Sequence, residues 1–188
     1  MAPPYGIKHT VTPSGDENIA HFRDSRSTFH TIRVVVHTLG RQPNGMSDNH
    51  VSVFLLLNEG AIRLNMTTEE GFISGELVWS WDAYQISNSA IIHFDIALRF
   101  AVEVGTLYNQ VRSWGLQRYT FSGGGSGCRY WIYCLISKMA EMQWIHADWV
   151  GRMWSHLSYQ YSREVAPKVI EIKMGTFNTQ KDWEDEYE

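Results

Sequence analysis

The sequence predicts an α+β fold in one domain, with an antiparallel sheet first and a helical block after it. Three observations carry this. Residues 31 to 98 hold five β-branched or alternating apolar segments broken by turn residues. From residue 104 the apolar spacing changes to threes and fours. The chain, at 188 residues, is long enough for one sizeable core and shows no internal repeat or interdomain linker.

Residues 1–28 mix Pro, Gly, Ser and charge and read as a loose N-terminal arm. Thr31–Leu39 (TIRVVVHTL) is a buried strand, followed by a turn-rich loop on Pro43, Asn44 and Gly45. His50–Asn58 is the second strand, and Glu59-Gly60 turns it into a hairpin with Ala61–Thr67. Phe72–Trp81 and Ile91–Leu98 read as two more strands. Apolar residues at 104, 107, 108, 111 and 114 then mark a helix that Gly115 stops. A second helix is expected over about residues 127–142, and a third over about 145–163, before Pro167. Lys168–Phe177 returns to strand character. The domain therefore spans 29–178, and 179–188 form an acidic tail.

Composition narrows the function classes. Hydrophobic residues make up 44% and charged residues 19%, which fits a globular protein and not a disordered one. The net charge of −4 resides entirely in the tail segment Lys181–Glu188, which carries five acids and one lysine. The remainder sums to zero, and no basic stripe marks a nucleic-acid surface. No apolar run reaches the length of a membrane span, and none of signal-peptide type stands at the start. Cys128 and Cys134 are six apart on one helix, about 600° of rotation, so they diverge and cannot pair. A reducing, cytoplasmic setting is expected. Eight Trp, nine Tyr and eight Phe supply more ring surface than a core this size needs, so some rings are expected to line a pocket or interface. The sequence leaves homo-oligomerisation open.

The stretch FSGGGSGCRYWIYC (Phe121–Cys134) concentrates the chemistry. It fails the dinucleotide fingerprint, the nucleotide P-loop and the serine elbow, because Cys128 and Tyr130 stand where glycines are needed and no Gly-Lys-Ser/Thr follows. A helix starting near Gly127 would put Cys128 in its first turn, where free backbone N–H groups and the macrodipole favour a thiolate. Arg129 pushes the same way. The bland reading stands beside it: Cys128, Trp131, Ile132, Leu135, Ile136 and Met139 lie at offsets 0, 3, 4, 7, 8 and 11, a regular buried stripe. No histidine shows metal-ligand spacing, and no metal or cofactor is expected. His50 stands apart from the other seven, at the mouth of a strand just after the flexible loop, where it can serve a helix-start thiol.

The order His at a strand start, hairpin, polar residue on the next strand, Cys at a helix start resembles the circularly permuted papain-like clan, which includes lecithin–retinol acyltransferase relatives. That resemblance implies His50 as base, Asn65 or Arg63 as the orienting residue, and Cys128 as nucleophile. Gly127 departs from it, standing where the clan often has Asn. A second resemblance covers most of residues 31–178. TIRVVVHTLG, NHVSVFLLL, AIRLNM, YQISNSAI, GCRYWIY and KMGTF together are similar to a fungal family of small proteins of unknown function. Its members are found beside genes of specialised metabolism, which implies small-molecule chemistry.

Three functions are therefore carried forward. The leading expectation, resting on that second resemblance, is a cofactor-free cyclase of Diels–Alder type acting on a hydrophobic terpenoid or polyketide intermediate. It needs an apolar pocket and one or two hydrogen-bond donors. Trp79, Trp81, Tyr84, Tyr130 and Trp131 are its candidate walls and Gly125 a close-approach floor, with His50, Arg63 and Asn65 as its polar groups. Each ring has ordinary core packing as its plain alternative. The second is a Cys/His hydrolase or acyltransferase, and the third a non-catalytic small-molecule binding protein. Strand alternation puts Arg63 and Asn65 on one face and Ile62, Leu64 and Met66 on the other. The polar pair thus faces either solvent or a cleft.

Overall fold

The β-branched segments assemble as strands. In the computed structural model, which describes residues 8–9, 21–68, 72–122 and 127–178, they and a two-residue strand from the N-terminal arm form one antiparallel sheet of six strands. They are β1 (Lys8–His9), β2 (Thr28–Arg41), β3 (Ser47–Leu56), β4 (Ala61–Thr67), β5 (Glu76–Asp82) and β6 (Ala90–Glu103), in the order β1-β5-β4-β3-β2-β6. α1 (Val104–Ser113), β7 (Tyr119–Thr120), α2 (Cys128–Glu141), α3 (Asp148–Leu157), β8 (Tyr159–Gln160), β9 (Lys168–Val169) and β10 (Thr176–Phe177) follow. β7 pairs with β10 and β8 with β9. The α+β fold and the single domain read from the sequence are what the chain adopts.

Alternation decides which face of the sheet the helices cover. Ile32, Val34 and Val36 of β2, Val51, Val53 and Leu55 of β3, and Ile62, Leu64 and Met66 of β4 share one face. They are buried in one core with Leu107 and Val111 of α1 and with Trp131, Ile132, Leu135, Ile136 and Met139 of α2. The second face carries a small cluster of Val35, Phe54 and Ala61. Beside it Arg33 forms a two-pronged ion pair with Asp95, both bonds 2.7 Å, and donates to the Gln85 carbonyl. The Glu59-Gly60 hairpin turn forms as expected. Gly60 has φ +70°, and a Cβ there would lie 2.4 Å from the Asp82 carbonyl oxygen.

Three expectations need correction. The third helix ends at Leu157, well before 163, and the Ser158 hydroxyl donates to the Trp154 carbonyl at its end. The chain then turns to pair β8 with β9, and Asn49 donates to the Tyr161 carbonyl. The late strand Lys168–Phe177 is two short strands serving two different partners. The arm is not loose to residue 28: Phe22 is 1% exposed and packs on Trp79, with ring centroids 5.9 Å apart. The Gly105 N–H at the start of α1 bonds the Ser25 carbonyl, tying this stretch down. The acidic tail 179–188 lies outside the described residues.

Because Phe22 fills core space that only the arm can supply, Phe22→Ala should cost about 3–5 kcal/mol in chemical denaturation. A loss below about 0.5 kcal/mol would show that the arm does not dock.

Candidate active site

The site begins with a parting of two strands. β2 and β3 pair along nearly their whole length, and β4 and β5 pair from Ala61 to Thr67. β3 and β4, by contrast, pair only over Val53–Leu56 and Ala61–Leu64. Beyond those residues β3 stays with β2 and β4 stays with β5, so a gap opens between them. His50 lies on one side of it and Asn65 on the other. The His50 Nε2 and Asn65 Oδ1 atoms are hydrogen-bonded across it. The start of α2 comes to this gap: Cys128 lines the same cavity as His50, and the His50 side chain and the Val51 backbone N–H both favour its thiolate.

Backbone geometry at the helix start holds the cysteine there. Gly127 has φ +141°, a conformation that L side chains rarely adopt, and a Cβ on it would lie 2.7 Å from the Tyr119 hydroxyl. That hydroxyl donates to the Gly127 carbonyl and accepts from the Gly175 N–H, each at 2.9 Å. Gly127 makes no side-chain cap, so it leaves the first-turn N–H groups of α2 without one. Glycine at this position, where the permuted papain-like clan often has Asn, thus has a local steric reason.

Electrostatics moves both groups, Cys128 and His50, towards their charged forms. Burial opposes both charged forms. The mutual hydrogen bond and attraction outweigh it, so the Cys128 thiol is lowered below the ordinary thiol range and His50 is raised above that of ordinary imidazole. The Val51 N–H and the Arg129 charge lower Cys128 further, and Asn65 supports the raised His50. His37 behaves oppositely. Burial, with the charges of His50 and Arg63, pushes it down to about 4, so it is neutral at physiological pH. Its two nitrogens are taken by Ser89 Oγ at 2.9 Å and Ser52 Oγ at 2.7 Å, and its ring stacks 6.1 Å from that of His50. His37 is a satisfied structural group.

A cavity of about 300 Å³ opens at the pair. His50, Cys128 and Thr67 line it together with the apolar side chains of Met66, Phe121 and Ile170. The structure thus brings three of the four predicted catalytic residues together. Arg63 shares the face of Asn65, but its partner is Asp82, at 3.4 Å, and its guanidinium lies 6.0 Å from the Phe54 ring centroid. Of the two candidates for the orienting role, Asn65 is the one bonded to His50.

The predicted aromatic wall is not assembled here. Trp79 is 1% exposed between Phe22 and Tyr108, and Trp131 is fully buried with its indole N–H on the Leu116 carbonyl. Alternation on β5 and the stripe on α2 turn both rings into the sheet–helix core. Trp81 packs against that core, Tyr84 lies near Phe54 on the second face, and Tyr130 stacks on Tyr133 and meets Phe177 at a tilt. None of the five lines the cavity. Gly125 lies outside the described residues. Sequence reasoning missed Phe121, Met66 and Asn49 as cavity residues. Asn49 had a signal, standing next to His50; Met66 had none, because alternation assigns it to the core.

Since strain and a clash with Tyr119 both oppose a side chain at 127, Gly127→Ala should lower stability by about 1–3 kcal/mol. It should also slow alkylation of Cys128. A variant as stable and as reactive as the parent would show that this backbone geometry does not hold the thiol.

No curated protein and no solved structure matches the chain. Residues 32–178 match a domain of unknown function, DUF7770. That span covers most of β2, strands β3 to β6, helices α1 to α3 and both sides of the cavity, and the chain belongs to the DUF7770 family.

Proposed function

We propose that the protein is a thiol acyl-transfer enzyme, a hydrolase or acyltransferase, with Cys128 as nucleophile, His50 as acid–base and Asn65 as the residue that orients His50. The observation that carries this is one imidazole that is bonded to a carboxamide across a gap in the sheet and lines one cavity with a helix-start thiol. In the first step the thiolate forms a C–S bond to an ester, thioester or amide carbonyl, whose π electrons move to oxygen. First-turn N–H groups of α2, which no side chain caps, would supply the hydrogen-bond donors for that oxyanion. Collapse of the intermediate breaks the bond to the leaving group, which takes its proton from the His50 imidazolium. Water or an acceptor hydroxyl then gives its proton to His50 and attacks the thioester, which restores the thiolate. The order of His50, Asn65 and Cys128 on β3, β4 and α2 also suits the resemblance to the permuted papain-like clan. Free thiols at Cys128 and Cys134 suit a reducing, cytoplasmic setting. No helix among the described residues is long and apolar enough to cross a membrane.

A second reading rests on the cavity's apolar side, where Leu39, Met66, Phe121 and Ile170 face the polar groups of His50 and Asn49. Such a pocket also suits a cofactor-free cyclase folding a hydrophobic substrate, on the lines of the norbornene-forming Diels–Alderase of sordarin-type terpenoid pathways. There His50 would donate a hydrogen bond, and the thiol would take no part.

Alkylation separates the two. Cys134 is raised, chiefly by burial, whereas Cys128 is lowered. Iodoacetamide should therefore label Cys128 first, and should do so at a pH below the ordinary thiol pKa of 9.0. As pH falls, reactivity is lost only on passing the lowered Cys128 pKa; as pH rises, the imidazolium is lost on passing the raised His50 pKa. A short-chain p-nitrophenyl ester should leave an acyl adduct at Cys128, read by mass spectrometry. Cys128→Ser should abolish it, and His50→Ala should slow it by roughly 10²- to 10⁴-fold. Equal labelling of the two cysteines, with no acyl adduct, would overturn the thiol reading. Turnover of a cyclisable substrate that survives Cys128→Ser would establish the second.

A further inference from the structure

Beside the reacting pair lies a buried cation that acid–base chemistry does not use. Arg129 is 9% exposed, and its terminal nitrogens are spoken for. Nη1 donates to the Leu157 carbonyl at 3.1 Å and to the Tyr159 carbonyl at 2.9 Å, and Nη2 donates to Asn49 Oδ1 at 3.1 Å. None of these partners is a carboxylate. A guanidinium is hard to deprotonate, so a largely uncompensated positive charge sits one residue from the nucleophile.

Asn49 is equally engaged. Its Oδ1 also accepts from the Tyr161 N–H at 2.8 Å, and its amide donates to the Ser47 and Tyr161 carbonyls at 3.2 and 3.0 Å. Asn49 precedes His50 and Arg129 follows Cys128. The Arg129–Asn49 bond therefore joins the residue beside the nucleophile to the residue beside the base, and carbonyls at the end of α3 and in β8 anchor the joint.

We infer that Arg129 and Asn49 are positioning residues, a clamp that holds Cys128 of α2 and His50 of β3 in register and sets fixed positive charge beside the thiol. This rests on the thiol reading proposed above. The clamp acts through its neighbours: removing the arginine withdraws the charge and frees the helix start, while removing Asn49 keeps the charge and loosens the link. A thiolate left without a nearby cation is less favoured, so its pKa rises.

The test is the rate of iodoacetamide alkylation at Cys128 in the full-length protein, followed by mass spectrometry from about pH 5 to about pH 10, a range spanning imidazole and thiol titration. Parent, Arg129→Met, Arg129→Lys and Asn49→Ala are compared, each with its melting temperature. In Arg129→Met the thiol inflection should move up by about one pH unit, which is roughly 10-fold slower alkylation on its acid side. Arg129→Lys should recover part of that shift, because it restores the charge without the three-way hydrogen bonding. Asn49→Ala should slow alkylation with a smaller shift. It keeps the proposal testable if Arg129→Met does not fold. A fast parent with folded variants whose Tm falls while their pH profiles coincide with it would overturn the clamp alone. A parent whose Cys128 reacts no faster than Cys134 would overturn the thiol reading, and the clamp with it.

Discussion

Everything at the candidate site depends on β3 and β4 parting after four paired residues each. Had the ladder continued, the Val51 N–H would be available to β4 rather than to a thiol. The polar groups of His50 and Asn65 would then sit over a closed sheet. The separation exposes a backbone donor and sets two polar side chains across a gap. It also admits a helix end whose own N–H groups need partners. The helix is drawn there by its apolar stripe: Trp131, Ile132, Leu135, Ile136 and Met139 bury against the same core that holds Val51, Val53 and Leu64. Ordinary core packing thus delivers a cysteine to a histidine.

The two readings of Cys128 are for this reason not exclusive. It opens the buried stripe of α2 and it lines the cavity, half-buried at the junction of both. A fully buried thiol would be inert, and a fully exposed one would lose its charged neighbours to solvent screening. At the junction, burial raises the cost of charge while His50, Arg129 and the Val51 N–H more than offset it. His37, one strand away, is buried without such partners and stays neutral. Two histidines paired in register on adjacent strands are thus driven in opposite directions by what stands opposite them.

Much of this was legible in the chain. Period-two segments gave the strands, the change to threes and fours marked the first two helices, and Gly60 and Gly115 punctuated them as turn and stop. His50 was singled out by its place at a strand mouth, and Cys128 by its place at a helix start. Those are local facts, readable because they depend on a residue and its near neighbours. The end of the third helix was not legible, because it is set by pairing and by bonds from Asn49 and Arg129, residues roughly 110 and 30 positions earlier in sequence.

The sequence by itself determined which residues share a strand face, and therefore that Arg63 and Asn65 lie together and that Ile62, Leu64 and Met66 are core. It could not say whether the polar face met solvent or a cleft, nor which of the two polar residues would meet His50. Only the tertiary structure decided that, because the answer lies in where β3 leaves β4 and in what fills the gap. The same holds for the aromatics. Composition announced a surplus of rings, but a ring lines a cavity only when its backbone turns it there. Alternation and the helical stripe turned Trp79 and Trp131 inward, while Phe121, in irregular backbone, was left to form the wall.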